Sequence, residues 1–284
     1  MSCAKCQNPL VLEVDYSDDE DVSMGAGSSS AAAAQNTHTV PDDVALNCGC
    51  HFHWYVQIFC MQLYSLSNHV CKCIGQCLID EYQVTECPSC HQNLLTPGPN
   101  GSQQLLCTLH NEGGVQENLD ILPILTEEAY LHAYPEDRIS RAFLELCREG
   151  DVSAVVDLLK SCNEPDSDDE EMDDEPAIPK KSMDEILRYQ DPIGDMQSGL
   201  HAAVAGNSRE VAWLLLLLAS QLPEMEFPAL VYQQAASLGI MREDQTGKVD
   251  IRSLRDGQGR SAEHLAVELG GVWHGWPGSG RLTV

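Results

Sequence analysis

The sequence predicts a mainly α-helical protein with a small N-terminal α+β module and acidic linkers that lack fixed structure. Three observations lead to this fold class. From Thr126 onward, apolar residues recur at the spacing of a helix face. Before residue 93, cysteine and histidine are concentrated in short stretches. Two acidic, low-complexity runs contain too little apolar surface to offset the entropy lost on ordering.

The overall charge narrows the classes of partner. The 284 residues include 44 acidic and 16 basic side chains, for a formal net charge of −28. This charge repels phosphate backbones and anionic lipids, so we expect neither nucleic acid nor a membrane as a partner. The first residues lack the apolar region of a signal peptide. We therefore expect a cytoplasmic or nuclear protein whose 13 cysteines are metal ligands or buried thiols.

Residues 1–14 and 44–93 are predicted to form one cysteine-rich module. Residues 15–40 combine an acidic run with Gly, Ser and Ala, a composition typical of disordered segments. A Pro/Gly/Asn-rich stretch opens residues 94–125, which are predicted to be a linker. No long period-two alternation follows Glu81, so strands are expected only in the cysteine-rich module.

Residues 126–284 are predicted to be helical, with a disordered acidic insertion at 163–182. A short helix starts at Thr126 and ends before Pro135, which cannot continue it. Two further helices are separated by the breaker Gly150-Asp151. More helices are expected from residue 183 and over residues 210–222, 229–238 and 262–269.

Part of this helical region carries a recognisable repeat. The run Ser198-Gly-Leu-His-Ala-Ala-Val-Ala-Gly-Asn precedes a second apolar helix and closely resembles the ankyrin repeat. The run from Asp256 to Ala266 resembles the start of another repeat, and residues 142–159 resemble a degenerate first one. The resemblance implies an ankyrin-repeat helical solenoid that binds another protein. His201 and His264 are then architectural, bonding backbone groups at helix starts.

Cysteines and histidines in the first 90 residues have the spacing of metal ligands. A Cys-x-x-Cys sequence places two thiolates on one tight turn, and zinc takes four thiolate or imidazole ligands in a tetrahedron. The candidate metal ligands are Cys3, Cys6, Cys48, Cys50, His53, Cys77, Cys87 and Cys90. Eight ligands are enough for two closed zinc sites. Cys107, Cys147 and Cys162 lie outside any ligand pattern.

The ordered ligand set resembles the RING finger family, in which ligand pairs alternate between two zinc ions. The resemblance implies one ion held by Cys3, Cys6, His53 and Cys77. It implies a second ion held by Cys48, Cys50, Cys87 and Cys90, with His51 as an alternative to Cys50.

The interval between His53 and Cys77 is longer than the two residues that the family places there. Removing residues 56–76 restores that spacing, and the removed segment is apolar and free of acidic residues. It begins with Val and ends with Gln, whose codons can carry splice-donor and splice-acceptor sequences. One interpretation is therefore a translated intron, and the alternative is a genuine apolar insertion.

Two functions follow from these features. A RING-type ubiquitin ligase would hold a charged ubiquitin-conjugating enzyme beside a target recruited by the repeats, so that catalysis comes from proximity. Pro9, Leu10 and Val11 would contribute to the enzyme contact, whereas His91 follows the last cysteine where such ligases often have Arg. The alternative is a non-enzymatic adaptor. A nucleophile elbow, a phosphate loop and a Glu-flanked His pair are all missing from the sequence, which disfavours an enzyme with its own active site.

Overall fold

The computed structural model describes residues 1–15, 37–54, 85–99, 101–162 and 180–284. The chain divides into two compact units, Met1–His132 and Ala133–Val284. None of the described helices is long and apolar enough to cross a membrane. Residues 56–76 and Cys77 lie outside the described residues, so the splicing hypothesis and that ligand stay predictions. Most of the two predicted disordered segments also lies outside them.

The N-terminal unit is built mainly from antiparallel strands. Its strands are β1 (Val11–Asp15), β2 (Thr37–Pro41), β3 (Asp43–Leu46), β4 (His51–Phe52), β5 (Thr96–Pro97), β6 (Gln103–Gln104), β7 (Leu106–Asn111) and β8 (Gly114–Asp120). β1 pairs with β2 and β5 with β6, while the largest sheet has the order β4-β3-β7-β8. Helix α1 (Leu122–Ala133) follows the last strand.

The core of this unit lies on one face of the four-stranded sheet. Buried and half-buried residues alternate along β3 and through the first half of β7, as expected for strands with one face in a core. Buried apolar side chains of the strands, of the segments between them and of α1 form one cluster, which includes Val44, Phe52, Leu94, Leu105 and Leu125. Cys3 and Cys87 belong to the same cluster, so two of the candidate ligands are part of the folded core.

The C-terminal unit is helical. Its α-helices are α2 (Arg138–Glu149), α3 (Val152–Ser161), α4 (Met183–Leu187), α5 (Gly199–Ala205), α6 (Arg209–Ala219), α7 (Ala229–Ser237) and α8 (Ala262–Leu269). Short 3-10 turns lie at Pro135–Asp137, Glu224–Glu226, Ile251–Ser253 and Gly271–Trp273. Helix α5 packs against both α2 and α8, and α6 packs against α5 and α7. The predicted bounds of the last helix agree with the structure, and the helix expected from residue 183 begins there.

Two helices of this unit start with the same arrangement of side chains. At α5, the Oγ of Ser198 lies 2.8 Å from Nδ1 of His201, and at α8 the same two atoms of Ser261 and His264 are 2.8 Å apart. Each pair is a capping box, in which the serine side chain and the third helical residue satisfy unpaired N–H groups. The Nε2 of His201 reaches the carbonyl oxygen of Arg260 at 3.1 Å, so it ties one helix start to the next.

The predicted fold class is wrong. Eight strands in three antiparallel sheets occupy the described part of the first 120 residues, so the chain is a mixture of α and β structure. It is not a mainly α protein formed by an ankyrin-repeat helical solenoid with a small module attached. The difference has a local cause, because the sequence predicts a linker over residues 94–125 and strands only in the cysteine-rich module.

Residues 94–125 contain four strands and the start of a helix instead of a linker. Leu105, Cys107 and Leu109 are buried at alternate positions, but polar residues and the two-residue turn before β8 keep the alternating run short. Helix α1 begins at Leu122, four residues before the predicted start at Thr126. Strand β2 (Thr37–Pro41), of which residues 37–40 were predicted to be disordered, pairs with β1 so that Val11 is opposite Pro41.

Candidate metal centre

Two Cys-x-x-Cys turns in the N-terminal unit have the same backbone geometry. In the first, the N–H of Cys3 donates to the carbonyl of Asn8 and the N–H of Gln7 donates to the carbonyl of Cys3. In the second, the N–H of Cys87 donates to Gln92 and the N–H of His91 donates to Cys87. Each turn therefore presents two thiols from one short loop.

The residue that follows each Cys-x-x-Cys sequence has a left-handed backbone. Gln7 has φ 66° and His91 has φ 58°. A left-handed backbone is uncommon for residues other than Gly, Asn and Asp, and it costs free energy. The conformation lets the next residues fold back to pair with the start of the turn, which holds the two sulfurs on the same side.

A third turn presents another pair of thiols. Strands β3 and β4 form a hairpin, and Cys48 and Cys50 lie in the turn between them. The N–H of Leu46 donates to the carbonyl of Cys50, and the N–H of Gly49 donates back to Leu46. Gly49 has φ 83° with nothing within 4 Å of a Cβ, so the turn uses glycine for its backbone freedom and not for space.

The hairpin turn and the second Cys-x-x-Cys turn bring four thiols together. The sulfurs of Cys48, Cys50, Cys87 and Cys90 all lie within 4.8 Å of one another. Cys87 is buried, Cys48 and Cys50 are half-buried, and Cys90 is exposed. Four thiols that converge from two separate turns could hold a metal ion.

The thiols of this cluster differ in acidity. Burial and the neighbouring thiols of Cys87 and Cys90 together raise the pKa of Cys48 to about 12, although the backbone N–H of Cys50 acts in the opposite direction. Burial also raises the pKa of Cys50, with Cys90 and Cys87 contributing in the same direction. The pKa of Cys90 is lowered, mainly because the backbone N–H of Gln92 donates to its sulfur. Four crowded thiols do not ionise together without a compensating positive charge, and a cation supplies one.

A second group lies at the other end of the same hairpin. The sulfurs of Cys3 and Cys6 and one ring nitrogen of His53 lie within 4.8 Å of one another. The first Cys-x-x-Cys turn is attached to β4 because the N–H of Ala4 donates to the carbonyl of His51 at 2.8 Å. The group contains three ligand atoms from the described residues and could also hold a metal ion.

The ring of His53 is held by a buried carboxylate. Nδ1 of His53 lies 2.9 Å from Oδ2 of Asp42, and the two side chains are 8% and 5% exposed. The other oxygen of Asp42 accepts the N–H of Trp54 at 2.9 Å. Nε2 of His53 is buried and has no hydrogen-bond partner among the residues that the structure describes.

Asp43, the residue after Asp42, forms a similar pair with His51. Nδ1 of His51 is 2.9 and 3.0 Å from the two carboxylate oxygens of Asp43. These side chains are more exposed, at 29% and 17%. Among the described residues, His51 does not belong to either group of converging ligand atoms, so the structure favours Cys50 over His51 in the thiol cluster.

Seven of the eight predicted ligands thus fall into two groups, and the eighth, Cys77, lies outside the described residues. The predicted ligand set did not include Asp42, which lies between β2 and β3. The sequence did hold a signal for it, because Asp42-Asp43 and His51-Phe-His53 face each other across a short hairpin.

Three cysteines of the described residues were not predicted to be ligands, and none of them belongs to either group. Cys107 is buried in the sheet, and burial raises its pKa to about 11. Burial also raises the pKa of Cys147 and of Cys162, both of which belong to the helical unit. None of these three thiols belongs to a group of converging ligand atoms, and a buried thiol of raised pKa is a poor nucleophile.

Comparison of this chain with protein-family models, with curated proteins and with solved structures found no match.

Proposed function

We propose that this chain is a zinc-stabilised protein-interaction protein, in which the N-terminal unit holds two zinc ions and the helical unit binds a protein partner. The observation that carries the proposal is the convergence of four sulfurs, those of Cys48, Cys50, Cys87 and Cys90, within 4.8 Å. Two turns that are distant in the sequence meet there without a disulfide, as the ligands of a structural metal ion do.

Zinc suits the donor atoms of both groups. Tetrahedral sites of four thiolates hold zinc or iron–sulfur centres, and mixed thiolate and imidazole sites are typical of structural zinc. Cys77 is the ligand that the sequence supplies to complete the group of Cys3, Cys6 and His53. A zinc ion with four protein ligands stabilises a fold and leaves no coordination position for a substrate. The metal therefore serves the structure of the N-terminal unit.

Partner binding is assigned to the helical unit. Support comes from the repeated Ser-x-x-His capping box and from the bond between His201 and Arg260. Both features resemble ankyrin repeats, which bind proteins and bring no chemistry of their own.

A RING-type ubiquitin ligase is the second candidate. It is favoured by the order of the ligands, because the two groups take alternate pairs along the chain. The ligase would bind a ubiquitin-conjugating enzyme through the N-terminal unit and its target through the helical unit. Among the apolar residues assigned to the enzyme contact, Val11 is 44% exposed but Leu10 is only 6% exposed. Leu10 is therefore part of the core, which weakens the ligase candidate relative to an adaptor.

Elemental analysis of the full-length protein tests the metal. We expect two zinc ions per chain in the unsubstituted protein and one fewer when Cys48→Ser and Cys90→Ser are combined, because Ser is a poor replacement for thiolate. Cys162→Ser is the matched control. Its sulfur donates to the carbonyl of Leu158 in the helical unit, and a hydroxyl can keep that bond. A protein without zinc, or a control that loses as much metal as the double variant, contradicts the proposal.

Reconstituted ubiquitination separates ligase from adaptor. The full-length protein is incubated with ubiquitin, its activating enzyme and a panel of conjugating enzymes. A ligase modifies itself, loses this activity with Cys48→Ser and Cys90→Ser, and keeps it with Cys162→Ser. An adaptor that binds two zinc ions forms no conjugates with any member of the panel.

A further inference from the structure

We infer that Asp42 is a positioning residue of the second metal group: its carboxylate fixes the ring of His53 so that Nε2, and not Nδ1, binds the ion. The inference rests on the proposed zinc binding and adds to it a residue that is not itself a ligand. It also assigns the ligating atom of His53.

The hydrogen bonds of His53 determine which of its nitrogens is available. Nδ1 lies 2.9 Å from a carboxylate oxygen of Asp42, and a carboxylate can only accept in such a pair. Nδ1 therefore carries the proton. Nε2 of the neutral ring then has a free lone pair, which can accept a hydrogen bond or bind a metal ion. This nitrogen is buried and lacks a hydrogen-bond partner among the described residues. A buried acceptor without a partner is costly unless something binds it.

The surroundings of Asp42 point to the same role. Asp42 is only 3% exposed, and both of its oxygens are used, one by His53 and one by the N–H of Trp54. Its own N–H donates to the carbonyl of Leu10, close to the first Cys-x-x-Cys turn. A buried carboxylate is stabilised when its partner imidazole gains positive character, which happens when the ring binds a cation. The carboxylate in turn makes the imidazole a stronger ligand.

The neighbouring pair supplies a matched control. Asp43 holds Nδ1 of His51 at the same distance, on the same hairpin, but His51 is outside both ligand groups of the described structure. The two aspartates therefore make the same kind of bond to a histidine, but only His53 belongs to a group with cysteine sulfurs, and the Asp43 pair is the more exposed of the two. Replacing each by Asn keeps the size of the side chain and removes the charge.

We expect Asp42→Asn to weaken zinc binding at one of the two sites by about 10- to 100-fold. Affinity is measured on the full-length protein by competition with a chromophoric zinc chelator, and the other site serves as an internal reference. Asp43→Asn is expected to leave both affinities unchanged. Equal effects of the two substitutions, or no effect of Asp42→Asn on a protein that binds two zinc ions, overturn the inference and leave the proposed function standing. A wild-type protein that binds no zinc overturns both.

A double-mutant cycle distinguishes positioning from a general effect on folding. His53→Cys supplies a ligand that needs no imidazole tautomer, so Asp42→Asn should cost much less affinity in that background than in the wild type. An undiminished effect there would falsify the positioning role.

A second measurement needs no substitution. Long-range 1H–15N spectra of the zinc-loaded wild-type protein report which ring nitrogen is protonated. We expect protonated Nδ1 and metal-bound Nε2 for His53, and the opposite assignment overturns the inference even if Asp42→Asn does not fold.

Discussion

His201 has a fixed role because its two ring nitrogens have different partners. Nε2 lies 3.1 Å from the carbonyl oxygen of Arg260, so this nitrogen must donate. Nδ1 lies 2.8 Å from the hydroxyl of Ser198 and accepts from it. The arrangement requires the neutral ring, and burial lowers the pKa of His201 below 6.5. One side chain thus joins the start of α5 to the turn before α8.

The lowered pKa makes the stability of the helical unit depend on pH. The unfolded chain binds a proton at His201 near pH 6.5, whereas the folded chain binds it only at lower pH. Unfolding therefore takes up a proton as the pH falls below about 6.5, and the contribution of His201 to stability is lost in that direction. We expect His201→Gln to cost about 1–3 kcal/mol at pH 7.5, from the lost buried hydrogen bonds.

Thermal unfolding at pH 7.5 and 5.5 checks this prediction. The difference in stability between the wild type and His201→Gln should be smaller at the lower pH. His264→Gln alters the exposed copy of the same capping box and should cost less at pH 7.5. A gap that widens toward pH 5.5 would show that the folded state binds the proton more tightly than the unfolded chain.

The turn between α5 and α6 lies close to the end of α2, and this close approach requires glycine at position 206. Gly206 ends α5, and a Cβ on it would lie 1.8 Å from the backbone oxygen of Arg148 at the end of α2. The backbone of Gly206 has φ −77° and ψ 0°, which other residues can adopt. Glycine is therefore required here for space and not for conformation.

We expect Gly206→Ala to destabilise the protein by about 3 kcal/mol or more, since the clash is with backbone that cannot rotate away. Gly247→Ala is the control for conformation. Gly247 has φ 77° with nothing within 4 Å of a Cβ, so its cost should be limited to about 1–2 kcal/mol of backbone strain. Chemical denaturation of both variants measures the difference. Equal destabilisation by the two substitutions would mean that α2 and α5 can move apart with little loss of stability.

The sequence predicted best those elements whose signals are local. The Cys-x-x-Cys turns and the Ser-x-x-His capping boxes are defined by residues a few positions apart, and the structure forms both. Strand β7 was missed because its apolar alternation is short and ends at a two-residue turn. Its stability comes from pairing with β3, more than 60 positions earlier in the chain, which no local pattern reports. Asp42 was missed for a different reason: His53 is only 11 positions away, but the hairpin that brings the two side chains together was not predicted.

At the scale of the whole molecule, the two units differ in the size of their apolar cores. The N-terminal unit has a small apolar cluster that includes cysteines of both ligand groups. The C-terminal unit has a larger apolar core, which includes Trp273, Trp276 and Leu282, all fully buried. Trp273 also donates its indole N–H to the carbonyl of Val204 at 3.1 Å. The C-terminal segment therefore completes the helical core.

We expect Trp273→Ala to destabilise the C-terminal unit by about 3–5 kcal/mol and to leave the zinc content unchanged. A zinc chelator should have the opposite effect: residues 1–132 should lose structure, while the helices of the C-terminal unit are retained. Hydrogen exchange followed by mass spectrometry resolves the two units separately. Simultaneous loss of protection in both units after either treatment would show that they unfold as one.

Each proposed zinc site takes ligands from separate parts of the chain, and this affects how the N-terminal unit folds during synthesis. A ribosome releases the chain from residue 1 onward, so Cys3 and Cys6 emerge well before His53, and Cys48 and Cys50 emerge well before Cys90. If the proposed zinc sites form, each early pair waits for ligands that have not yet been synthesised, and during that time its thiols are exposed to oxidants and to competing metals. The N-terminal unit spans Met1–His132, so it can reach its final structure only after almost half of the 284-residue chain has been synthesised.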